Sequence, residues 1–166
     1  ITAGATGFGS GVLTIHGVNQ TGTGANSITT TWSSELYIQG GSVFTCVFNA
    51  TSPGVHLNGA TYQNTTTITK TGNSLDLSTG GNTFNGATTT ITLNGTGEWR
   101  FATTNPDDFN GSVNYVVTST GILRLAYSNS TSFACDVNFN APSVSVSFGL
   151  GGGTVTFDGS AAQAIT

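Results

Sequence analysis

A large apolar residue followed by two small or polar residues that can turn recurs at a nearly fixed interval along the chain. Phe84-Asn85-Gly86, Phe109-Asn110-Gly111, Phe133-Ala134-Cys135 and Phe157-Asp158-Gly159 follow one another at steps of 25, 24 and 24. Backward from Phe84, the steps to Leu57-Asn58-Gly59, Trp32-Ser33-Ser34 and Phe8-Gly9-Ser10 are 27, 25 and 24. A second column supports the register. Four and six residues after the marker come Leu36 and Ile38, Val113 and Tyr115, Val137 and Phe139, with Thr88 and Thr90 in the corresponding places. That alternation is the inward face of a strand, and β-branched Thr fits a pleated surface. Leu13 and Ile15 fall one residue out of step, which a bulge would explain.

Short strands repeating every 24–27 residues predict an all-β fold, a single parallel β-helix (solenoid) of about seven coils over residues 1–166. No coil can bury its own apolar face, so stacking supplies the core. Seven coils at one strand spacing give a rod of roughly 33 Å. The bland alternative is an antiparallel sandwich, whose strands also recur between turns. No stretch shows helical periodicity with a cap, so essentially no α-helix is expected.

Composition then narrows the function. Charged residues make up only 6% of the 166 residues and the net charge is −4. Three basic residues cannot neutralise a phosphate backbone, which argues against nucleic acid as a partner. No apolar run approaches the roughly 20 residues that span a bilayer, and no signal peptide is recognised. Ten Phe and regular Val/Ile/Leu alternation argue for order despite the low complexity. A Thr/Ser/Asn/Gly-rich, nearly Lys-free chain reads as extracellular or cell-surface. Cys46 and Cys135 fall four coils apart in this register, about 19 Å, too far for a disulfide. Two free, buried thiols are expected, with Cys135 in the small-residue position that Gly holds elsewhere.

The chemistry-bearing residues are sparse. Asp107-Asp108 is the one adjacent carboxylate pair, but neighbours on a strand point to opposite faces and make a poor acid–nucleophile pair. Asp76, Arg100 and Arg124 recur at steps of 24 and alternate with apolar neighbours, which predicts one outward column with Asp76 pairing Arg100. His16 and His56 lack a second ligand set in sequence, so zinc is not expected. Asn85 and Asn110 are placed to form a side-chain amide ladder. Thr65/Thr67/Thr69 and Thr88/Thr90/Thr92 resemble the flat Thr arrays of ice-binding β-helices. The array breaks at Asn114 and Val116 in the next coil, so ice binding is the lesser reading. No catalytic, cofactor-binding or metal-binding residue is nominated; the expectation is no enzyme and no cofactor.

A stacked coil leaves unpaired backbone groups at both ends, and solenoids usually carry caps there. Neither terminus offers one, and VTFDGSAAQAIT reads smoothly into ITAGATGFGSGVLTI. The ends are therefore expected to be covered by neighbours, in a tandem array or a head-to-tail filament. The TFNGATTTITLNGTG, DDFNGSVNYVVTSTG and GGTVTFDGSAAQAIT stretches resemble repeat-rich secreted and surface β-helix proteins of the Bacteroidota type. The likeness covers most of the chain from Leu57 onward. It implies an adhesin- or filament-like structural module outside the cell, stacking end to end with copies of itself, with surface glycans as a further partner. A carbohydrate-binding or carbohydrate-cleaving β-helix is the alternative, which exposed aromatics and a carboxylate-lined groove would favour.

Overall fold

The computed structural model describes residues 2–3, 11–22, 27–31, 33–141 and 146–166. Every strand pairing among them is parallel, and no helix occurs. The chain visits three faces in strict rotation. The first face holds β1 (Thr2–Ala3), β3 (Ser27–Thr31), β6 (Val47–Ser52), β9 (Thr66–Lys70), β12 (Thr88–Leu93), β15 (Ser112–Val117) and β18 (Val137–Asn140). The second face holds β5 (Val43–Phe44), β8 (Thr61–Tyr62), β11 (Thr83–Phe84), β14 (Asp107–Phe109), β17 (Thr131–Phe133) and β20 (Val155–Phe157). The third face is split: β2 (Leu13–Ile15), β4 (Glu35–Gln39) and β7 (Gly54–Asn58) form one ladder. There β10 (Asp76–Leu77), β13 (Glu98–Arg100), β16 (Ile122–Leu125) and β19 (Val146–Phe148) form another. Seven strands on one face and six on another make a parallel β-solenoid of between six and seven turns.

The strands are short because each face must end where the chain turns a corner. They are β-branched and aromatic because each side chain alternates between core and solvent. The core is a set of vertical columns. On the second face Phe44, Tyr62, Phe84, Phe109, Phe133 and Phe157 stand one above the next. Their ring centroids are 5.4, 4.7, 4.5, 5.2 and 5.5 Å apart in that order. Phe84, Phe109 and Phe133 are thus stacked nearest neighbours, as the period predicts. The Gly after the marker has a steric reason: a Cβ on Gly111 would lie 1.9 Å from the Gly86 carbonyl oxygen in the coil below. Cys135 takes the equivalent position one coil further on, as expected. Both thiols are free, and Cys46 is buried, but Cys135 is only half-buried.

The register departs from the sequence reading before Phe84. Coil length is set by which residues pair. Thr51 pairs with Thr31 and with Thr69, so these two successive coils are several residues shorter than any after Phe84. Tyr62, not Leu57, lies under Phe84. Leu57 belongs to β7 on the third face and marks no coil boundary. Leu36 and Ile38 do point inward, but they pair with Val55 and Leu57 rather than joining the column of Val113 and Tyr115. Leu13 and Ile15 pair directly with Leu36 and Ile38, and no bulge is needed. The markers Trp32 and Phe8 lie outside the described residues. In β12 the inward residues are Thr89 and Ile91, which pair with Val113 and Tyr115. Thr88 and Thr90 face out. The markers Phe84 and Phe109 are one residue further apart than the first-face partners Thr88 and Ser112, and a one-residue slip moves every side chain to the other face.

Candidate functional site

The third face holds most of the ionic chemistry, and the reason is a seam. β7 and β10 lie side by side but share no backbone ladder. Polar side chains take up the bonds the backbone leaves. The Val55 N–H donates to Asp76 Oδ2 at 2.7 Å and the Leu57 N–H to Ser78 Oγ at 3.0 Å. Further round the same coil, the Thr79 N–H donates to Asn58 Oδ1 at 2.9 Å, and Gly59 and Ala60 both donate to Asn82 Oδ1 at 3.1 Å. A buried N–H without an acceptor costs free energy comparable to a lost hydrogen bond, so such substitution is obligatory where the ladder lapses.

Around this seam cluster Glu35, His56, Lys70 and Asp76. Asp76 points inward, in register with Trp99, and is 1% exposed. Its partner is Lys70, fully buried, with Nζ 3.0 Å from Asp76 Oδ2. The ammonium also donates to the Pro53 and Gly72 carbonyls, both at 3.2 Å. The expected Asp76–Arg100 pair therefore does not form. Asp76 sits one residue out of phase with Arg100, because the register pairs Leu77 with Arg100. On the outer side of the seam His56 stacks on Tyr37, with centroids 4.0 Å apart and planes 7° from parallel. His56 Nε2 lies 2.8 Å from Glu35 Oε2, and Nδ1 lies 3.0 Å from the Leu77 carbonyl oxygen. Burial, then the Glu35 and Asp76 charges, raise the Tyr37 hydroxyl above its ordinary pKa.

Glu35, His56 and Asp76 each bring one ligand-type atom within 4.8 Å of the others. His56 thus has a ligand set that its sequence position does not suggest. The one trace in the sequence is the near-equal spacing of the three residues, which matches shortened coils rather than the longer step seen after Phe84. The cluster nevertheless fits a bridge better than a metal site. Asp76 Oδ2 already accepts both the Val55 N–H and the Lys70 ammonium, and a cation there would face a second positive charge at close range.

Arg100 and Arg124 do stack in register on the outer surface. Both donate to Glu98 Oε1, Arg100 Nε at 2.5 Å. Partial burial would lift the Glu98 carboxyl, but the hydrogen bonds from Arg100 and Arg124 outweigh it and hold the carboxyl below its usual range. Arg100 also lies 4.4 Å over the Tyr127 ring. All three basic side chains are thus engaged within the protein.

Asp107 and Asp108 point to opposite faces, as expected. Asp108 is exposed, whereas Asp107 is fully buried on a strand rather than in a turn. Burial pushes Asp107 up to about 7, against the lowering effect of donors from Asn82 and the Ala102 amide. Asn82 Nδ2 and its backbone N–H reach Oδ1 at 2.8 and 3.0 Å. Oδ2 makes no hydrogen bond of ordinary geometry, and neither do the buried oxygens of Tyr62, Tyr115 and Thr131. These groups lie within the packed interior. Trp99 is also fully buried, its indole N–H donating to Ser78 Oγ at 3.0 Å, which counts against an exposed aromatic sugar platform. His16 stands apart from the cluster. On the second face the amide ladder forms as expected and is one rung longer: Asn110 donates to Asn85, and Asn85 to Gln63.

No family model matches the chain, and no curated protein or solved structure is detectably similar to it.

Proposed function

We propose that the protein is an extracellular structural rod module whose coils continue end to end through contact with a second copy. One observation carries the reading: the core columns do not close at the last coil. Phe139, Phe148, Val155, Phe157 and Ile165 line an apolar hollow of about 400 Å³ at that end. Phe148, Phe157 and Ile165 are 44, 39 and 58% exposed, while the same columns are sealed further in. No strand lies beyond β19 or β20 among the described residues. The tail does begin a further rung: Val137 N–H donates to the Ala164 carbonyl at 3.0 Å and Phe139 N–H to the Thr166 carbonyl at 2.7 Å. A surface that offers stacked rings and open strand edges suits another coil of the same kind, and a contact that does not close on itself builds fibres.

The test is sedimentation velocity across a concentration series, with electron microscopy of the concentrated sample. The protein is expected to form head-to-tail oligomers, and the double substitution Phe157→Asp, Ile165→Asp to stay monomeric while folded. A wild-type chain that remains monomeric at high concentration sinks the proposal.

A further inference from the structure

We propose that the first face binds ice. The argument is independent of end-to-end stacking and rests on four adjacent strands. The register places Thr31, Thr51, Thr69 and Thr92 in one outward column. Beside it, two residues back along each strand, run Asn49, Thr67 and Thr90. The interruption at Asn114 and Val116 is real, but the array extends the other way, onto β6 and β3, where the shortened coils hide it from the sequence.

Three properties set this array apart from an ordinary solvated sheet. First, its hydroxyls are uncommitted. Among the described residues, Thr31, Thr51, Thr67, Thr69, Thr90 and Thr92 make no side-chain hydrogen bond. On the second face, by contrast, the polar side chains bond one another from coil to coil, as in Gln63–Asn85–Asn110 and Asp108–Ser132. Second, no outward residue of β6, β9, β12 or β15 is charged. A charged group would orient a hydration shell of its own and break a lattice of neutral water. Third, Thr is stiff at χ1, so each hydroxyl and methyl is held in place before anything binds.

The geometry then supplies a two-dimensional repeat. Neighbouring strands stand about 4.8 Å apart, and alternate residues along a strand about 6.7 Å apart. Both spacings are close to the oxygen–oxygen repeats on surfaces of hexagonal ice. Hydroxyls at those points can anchor waters in lattice positions, while the methyls between them order the adjoining water without competing for its hydrogen bonds. The ladder that sets the spacing runs from β3 through β15 without a bulge.

Ice-crystal morphology and thermal hysteresis of the purified chain are the readouts. Wild-type protein is expected to facet growing ice and to depress its growth temperature. Thr69→Tyr and Thr90→Tyr, at the centre of the array, are expected to abolish both effects. Thr83→Tyr, an outward position on the second face, is expected to leave them intact, and circular dichroism with thermal melts checks that all three variants fold. Unfaceted ice with no hysteresis from the wild type overturns the proposal. So does full activity in folded Thr90→Tyr, or equal loss in folded Thr83→Tyr.

Discussion

Asp107 is a buried carboxyl whose protonation the fold shifts into the neutral pH range. It is buried at the foot of the second face, with one carboxylate oxygen held by Asn82 and the other without a hydrogen bond of ordinary geometry. Its pKa rises from 3.8 to about 7 on folding. The native state therefore holds this proton more tightly than the unfolded chain does. Stability from this group is full below about pH 4 and is lost as pH rises towards 7. At 1.36 kcal/mol per unit the swing is on the order of 4 kcal/mol. Asp107→Asn keeps an oxygen for the Asn82 donors but cannot ionise. Melting temperature measured from pH 4 to pH 8 is expected to fall in the wild type and to stay nearly level in Asp107→Asn, with the variant the more stable at pH 8. Parallel slopes for the two proteins would show that Asp107 is not the titrating group. Burial and the Asp107 charge also raise the Tyr62 and Tyr115 hydroxyls, so neither ionises in that range.

The seam between β7 and β10 is where single elements depend on ionic side chains. Lys70 and Asp76 are both buried, and removing one partner of such a pair strands the other charge. Lys70→Met is expected to destabilise by about 3–5 kcal/mol in chemical denaturation. Lys70→Met combined with Asp76→Asn should recover a large part of that loss, because the amide oxygen can still accept the Val55 N–H. A double variant as unstable as the single one would mean that the ammonium's bonds to Pro53 and Gly72 matter more than its charge. The same logic explains the split of the third face into two ladders. Side chains of Asp76, Ser78, Asn58 and Asn82 replace backbone partners where the short coils give way to the longer ones.

Across the whole molecule each coil touches mainly the coil above and the coil below, so stability should grade along the rod. The central coils hold the sealed columns, whereas Val12 and Leu150 near the two ends are each 59% exposed. Amide hydrogen exchange is expected to be slowest in β9, β12 and β15 and fastest in β19 and β20. Protection of β19 and β20 should rise with protein concentration if copies stack on that end. Uniform protection at all concentrations would contradict both the graded rod and the open end.

The sequence by itself determined the class of fold, the direction of stacking and the aromatic column from Phe84 to Phe157. Those coils keep a nearly constant step, and a stacking column needs no information beyond that constancy. It also determined the Asn85–Asn110 ladder, which follows from the same register, and that both cysteines are free, although Cys135 is only half-buried. Only the tertiary structure decided the coils before Phe84. A solenoid aligns residues by hydrogen-bonded strands, not by counting, so corners that shorten a coil cost nothing in the ladder yet erase the period. That is why the sequence offers Leu57 where Tyr62 belongs, and why it hides the meeting of Glu35, His56 and Asp76. For the same reason the Thr array reads as interrupted although it continues on the strands before it. One-residue shifts of phase matter as much: Thr88 and Thr90 face solvent, and Asp76 faces Lys70 rather than Arg100, because a strand has a period of two and carries no record of which face is in.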